Sequence, residues 1–226
     1  VKNPGYVALA VLEALAVSGI FGAINGFFVA YMNVPAFVAT LAGMTMARGF
    51  AYVYSNGKPY TLASDGFSKI GKGMAPILIF LVVVTAAHII LSKMKFGRYI
   101  YASGGNMKAA DASGVRVKRI LMKVYILGGV LAGIAGVVLA ARTNSGQPAV
   151  GVGYETDAIA AAVIGGTSMT GGVGTIGGTL IGILIIGVLN NGLNLLNVSS
   201  YYQQILKGLI ILGAVCFDIK SKKSSK

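Results

Sequence analysis

Two groups of residues in this 226-residue chain have types and spacings that could do chemistry. The first is the glycine cluster GGTSMTGGVGTIGG, from Gly165 to Gly178, which contains Gly172-Val173-Gly174-Thr175-Ile176-Gly177 in the pattern G-x-G-x-x-G. Such a turn can cradle a dinucleotide, but only after a strand, ahead of a helix and with an acidic ribose partner further on. The second is a row of amides. Asn190, Asn194 and Asn197 recur at i, i+4 and i+7, one helical face, with Asn191 beside them. Amides both donate and accept hydrogen bonds, as sugar hydroxyls do. Asn190, Asn191 and Asn194 could therefore line the path of a small polar solute. The plainer reading is that they join helices, since interhelical amide bonds of about 0.6–2 kcal/mol suffice for that.

Charges inside apolar runs are few. Glu13, Arg48 and Lys207 lie within such runs, and Glu155 and Asp157 open a shorter one. A charge at the bilayer centre costs at least ~2.5–3.5 kcal/mol. At ~1.5 Å per residue, Glu13 and Arg48 fall roughly 9–12 Å deep. The five are expected to form an outer-half charge cluster, with Glu13 paired to Arg48. The plainer alternative is that Arg48 and Lys207 snorkel separately to the interface. His88 has no second ionisable group near it in sequence and reads as a wet interfacial histidine rather than a proton relay. Cys216 cannot form an internal disulfide and reads as a packing residue. No nucleophile–base set and no metal-ligand spacing is present, so neither catalytic residues nor a metal are expected.

The elements that must position these residues follow from composition. The chain is 55% hydrophobic and 11% charged, against about 25% charged in soluble domains. It is therefore expected to be an all-α, polytopic transmembrane helix bundle. A net charge of +13 raises nucleic acid as a partner. The distribution excludes it: eight of the 19 basic residues lie between Lys93 and Lys123, and four between Lys220 and Lys226. Clusters at the ends of apolar runs mark cytoplasmic loops, at 93–123 and in the tail 219–226. Six runs are long enough to span: 6–31, 36–54, 74–92, 121–141, 174–193 and 200–218. A shorter run, 156–168, crosses or re-enters. Parity then places 55–73 and 142–154 outside, and Val1 outside as well. With an outside first residue that is not Met, further spans are expected before it.

In such a chain the glycine cluster needs no nucleotide. Glycine permits tight turns and close backbone approach. Gly174, Gly178 and Gly182, spaced by four, offer small residues on one helical face for packing. Gly22/Gly26 and Gly129/Gly133 do the same elsewhere. In the basic segment, Gly104-Gly105-Asn106 is expected to turn, Asn106 to cap a short helix from Met107 to Ala112, and Gly114 to end it. Such a helix could dock a cytoplasmic partner or lie solvated near anionic lipid.

The stretch GRYIYASGGNMKAADASGVRVKRI resembles the coupling loop of sugar ABC importer permeases. GYETDAIAAAVIGGTSMTGGVGTIGGTLIGILIIGVLNNGLNLLNVSSYYQQILKGLIILGAV is similar to the C-terminal part of the ribose-type permeases, and NVPAFVATLAGMTMARGFAYVYSNGKP to their earlier spans. YTLASDGFSKIGKG departs most from that pattern. The resemblance implies a single permease domain over 1–226 whose N-terminal spans are absent from this sequence. It implies a multi-pass protein of the bacterial inner membrane that imports ribose or a related monosaccharide. It implies three partners besides the bilayer: a second permease copy in a homodimer, a cytoplasmic ATPase, and an extracytoplasmic sugar-binding protein. Gly104, Gly105, Asn106, Ala109, Ala110 and Gly114 would couple to the ATPase. ATP and magnesium would be bound there and not on this chain, which has no G-x-x-x-x-G-K-[ST] loop. The alternative is an ion-coupled carrier or a channel for a small polar solute, using Glu13, Glu155 or Asp157.

Overall fold

A computed structural model describes residues 4–62 and 64–224. The elements are α1 (Pro4–Ala30), α2 (Ala36–Ser55), β1 (Tyr60–Thr61), α3 (Asp65–Ile70), α4 (Ala75–Lys93), α5 (Lys95–Gly105), α6 (Met107–Ala112), α7 (Val117–Thr143), β2 (Ser145–Gly146), α8 (Tyr154–Ile164), α9 (Ile176–Leu195) and α10 (Ser200–Ser224). The fold is all-α, as composition requires. Among the described residues five helices are long and apolar enough to cross a membrane: α1, α2, α4, α7 and α9. The sixth expected run forms α10 but falls short of the same measure, with Gln203, Gln204 and Lys207 in its first half. The short run forms α8. Its 11 residues reach about 16 Å at 1.5 Å each, roughly half of a ~30 Å hydrocarbon core.

The chain divides into two compact units. The first comprises Val1–Ala86 with Asp111–Val150, the second Ala87–Ala110 with Gly151–Lys226. In the first, α1 packs along α7. Small residues set that approach: a Cβ on Gly22 would collide with Tyr125 O, and one on Gly129 with Ser18 O. The loops that follow α2 and α7 are tied together. β1 and β2 pair antiparallel, Tyr60 with Gly146 and Thr61 with Ser145. Leu62 N–H donates to Asn144 O at 2.9 Å, and Ser68 Oγ donates to Asn144 Oδ1. The two loops that the charge distribution assigns to one side of the membrane are thus hydrogen-bonded to each other.

In the second unit α8 and α9 form an antiparallel helical hairpin, and α10 packs on α8. Ala160, Ala161 and Ile186 make its small buried core, with Ile164 and Ile211 packed against it. No residue of α4 is buried. A helix apolar on every side suits lipid contact.

One local expectation changes. Gly104 and Gly105 are not a free turn but the last residues of α5, a helix begun right after α4. Gly97 makes the corner possible, since a Cβ there would collide with Leu91 O. Glycine commonly ends helices, and Asn106 breaks the run with extended φ −156 and ψ 103.

Candidate functional site

The basic segment is built from two short helices. Lys95, Arg98 and Lys108 are exposed. Asn106 caps α6, its Oδ1 accepting the Ala109 N–H at 3.0 Å, which satisfies one of the orphan donors at the helix start. Ala109 is exposed and Ala110 buried. Gly114, at φ +83, ends the segment by donating its N–H to Asp111 O at 2.9 Å. Gly104, Gly105, Asn106, Ala109 and Ala110 belong to the second unit, Gly114 to the first.

The glycine cluster connects α8 to α9. The helix α8, not a strand, leads into it: among the described residues the strands are β1 and β2, both in the first unit. The dinucleotide requirement therefore fails. Thr175 starts α9, its Oγ1 accepting the Gly178 N–H at 3.0 Å. Because that cap sits at 175, Gly174 precedes the helix and does not share its face. It packs instead beside the Thr167 side chain. Gly178 and Gly182 lie on α9 where a Cβ would collide with Gly165 O and Ala161 O respectively. The helices of the hairpin meet backbone to backbone there.

Further along the hairpin, α8, α9 and α10 each contribute one group to a polar triad. Lys207 Nζ lies 2.8 Å from Asp157 Oδ1 and 2.9 Å from Oδ2. Asn190 Nδ2 donates to the same Oδ2 at 3.2 Å. The Lys207 and Asp157 side chains are only 18% and 22% exposed, so the lysine offsets a carboxylate that would otherwise be costly at this depth. Asn194 Oδ1 accepts from Gln203 Nε2 at 2.9 Å, linking α9 to α10. Asn190 and Asn194 thus act as interhelical links. Asn191 is exposed and makes no side-chain hydrogen bond among the described residues. Asn197 takes a left-handed φ of +54 just past α9.

The expected five-charge cluster does not form as one group. Asp157 and Lys207 pair. Glu155 accepts the Gly153 N–H at 3.0 Å, at the start of its own helix. Glu13 and Arg48 belong to the first unit and make no ion pair among the described residues. Similar depth does not give similar azimuth, and azimuth decides contact. Glu13 instead faces a cavity of about 1400 Å³ between α1, α2 and α7. Ser18, Asn25, Thr40 and Tyr125 add polar groups to its mainly apolar wall. His88 and Cys216 are exposed. Among the described residues no three of His, Cys, Asp and Glu gather as metal ligands.

Several of these residues escaped the sequence reading. Asn25 carried a signal: it stands seven residues after Ser18 in an otherwise apolar run, hence on the same face. Gln203 carried none, because its partner Asn194 lies on another helix.

A profile of the family described as branched-chain amino acid transport system / permease component matches residues 2–215. The ribose import permease protein RbsC of Escherichia coli strain K12 is 49% identical over 223 residues, covering 95% of this chain and 70% of that protein. RbsC of Bacillus subtilis strain 168 is 48% identical over 203 residues, 87% of this chain and 63% of its own. The L-arabinose transport system permease protein AraH of Escherichia coli strain K12 is 39% identical over 208 residues, 90% of this chain and 63% of its own. No solved structure matches the chain.

Proposed function

We infer the function from one premise: the chain belongs to the family of branched-chain amino acid transport system permease components. It is a multi-pass protein of the bacterial inner membrane and a transport subunit rather than an enzyme. Within that family we assign it to the import of a pentose, ribose first. The observation that carries this is the 49% identity to a ribose import permease across 95% of the chain. The family description names amino acids, whereas these relatives are named for ribose and arabinose. Two polar groups agree with an uncharged solute: Lys207 neutralises Asp157, and Asn25 brings an amide to the wall of the first unit's cavity.

In this reading two copies of the chain make the pathway. A sugar-binding protein delivers the solute from outside. A separate ATPase docks on the segment holding Gly104, Gly105, Asn106, Ala109, Ala110 and Gly114, and supplies ATP and magnesium chemistry. Its closure moves the spans as rigid bodies between outward- and inward-open states. The competing carrier or channel reading draws on Glu13, the carboxylate that faces the first unit's cavity.

Sugar uptake separates the two. The chain is reconstituted in proteoliposomes with its ATPase and binding protein, and labelled ribose is followed. An importer accumulates ribose with ATP on the ATPase side and ignores an imposed proton or sodium gradient. Uptake that follows the gradient and ignores ATP would sink the importer reading.

A further inference from the structure

The end of α5 and the glycine-rich turn meet through their backbones. A Cβ on Gly104 would lie 2.7 Å from Gly172 N, and one on Gly172 would lie 2.8 Å from Gly105 Cα. A Cβ on Gly171 would collide with Gly104 O. Gly171 and Gly172 also hold φ of +89 and +77, so a side chain there would be strained as well as crowded. A hydrogen bond fastens the junction: Tyr101 on α5 donates its hydroxyl to Gly174 O at 2.7 Å. The next residue, Thr175, is the N-cap of α9. Beside these glycines Ser103 is 3% exposed, and its Oγ has no hydrogen-bond partner among the described residues.

We propose that this junction is the joint through which displacement of the α5–α6 segment reaches α9, with Tyr101 as its positioning residue. The proposal rests on the ATPase docking at α5–α6 inferred above. Displacement passes between rigid elements where they touch without slack, because packed backbones do not deform continuously. Here no flexible side chain separates the two elements. Moving α5 must move Gly174 and the start of α9, or else break the Tyr101 bond. α9 in turn carries Asn190, about 21 Å along the helix at 1.5 Å per residue, where it holds Asp157 of α8. A push at the basic segment is thereby delivered to the hairpin as a whole.

The test uses the full chain assembled with its ATPase and binding protein. Tyr101→Phe removes one hydroxyl and adds no bulk. Gly172→Ala inserts a methyl into the contact. Gly187→Ala is the control, since a Cβ there would meet nothing within 4 Å. Ala109→Glu, on an exposed residue of α6, marks loss of docking. Tyr101→Phe is expected to keep ATPase co-purification and basal hydrolysis. Hydrolysis stimulated by sugar-loaded binding protein, and uptake, should fall about fivefold, the scale of one lost hydrogen bond. Hydrogen exchange in 165–175 should change on ATPase binding in the wild type and not in Tyr101→Phe. Gly187→Ala should behave as wild type, and Ala109→Glu should lose co-purification. Wild-type uptake by Tyr101→Phe overturns the joint, and so does loss of ATPase binding by that variant, which would make Tyr101 part of the docking surface. If Gly172→Ala fails to assemble, Tyr101→Phe decides alone. A wild-type chain that binds no ATPase and imports no sugar overturns the importer reading and the joint with it. Working wild-type transport beside an unaffected Tyr101→Phe overturns the joint only.

Discussion

Asp157 takes partners from two other helices, Lys207 and Asn190. Its value to the protein depends on keeping both. Replacing Lys207 by Met leaves a carboxylate in apolar surroundings with one amide for company, and should cost about 2–3 kcal/mol of stability. Adding Asp157→Asn removes the stranded charge and should recover part of the loss. Thermal unfolding of the two single variants and the double in detergent gives the coupling, expected at about 1 kcal/mol or more. Strictly additive losses would show that the pair contributes nothing beyond its members. The residue types here were legible in the sequence, because an acid in an apolar run must either find a partner or face a polar cavity. The partner was not. Glu13 and Arg48 matched in depth and do not pair, whereas Asp157 and Lys207, 50 residues apart, do. Depth follows from counting along a helix, but azimuth follows from packing.

At the scale of elements, the α8–α9 hairpin depends on two positions with no side chain. Gly178 and Gly182 let α9 lie against the carbonyls of Gly165 and Ala161. Leu at 182 would force the helices apart and should cost about 1–3 kcal/mol through overpacking. Leu at 187, where a Cβ meets open space, should leave the melting temperature of the purified protein unchanged. Equal melting for the two variants would mean that the close approach is not needed. The spacing of these glycines showed in the sequence, as did the apolar runs and the short helix after Asn106. Gly174 misled because periodicity says nothing of where a helix begins: the Thr175 cap sets that. Gly104-Gly105-Asn106 misled similarly. Two glycines before an asparagine suit a turn and suit a helix end equally well, and the hydrogen bond from Tyr101 to Gly174 O belongs to tertiary structure.

For the molecule as a whole, composition and charge asymmetry carried most of the fold. Five apolar helices, basic clusters at 93–123 and 219–226, and a two-residue ladder between the loops at 60–61 and 145–146 are mutually consistent with a polytopic permease. The count of spans was less legible, since α8 is only half a span long and α10 carries polar residues in its first half. Importer function adds a demand that neither a carrier nor a channel makes: hydrolysis on another chain must respond to solute delivered outside. The most direct measurement is therefore ATP hydrolysis by the reconstituted chain and its ATPase, with binding protein empty, loaded with ribose, or loaded with other sugars. A ribose importer predicts a rate that rises with the ribose-loaded form and not with the empty one. Hydrolysis indifferent to every loaded form, with ribose entering along an imposed ion gradient instead, would contradict it.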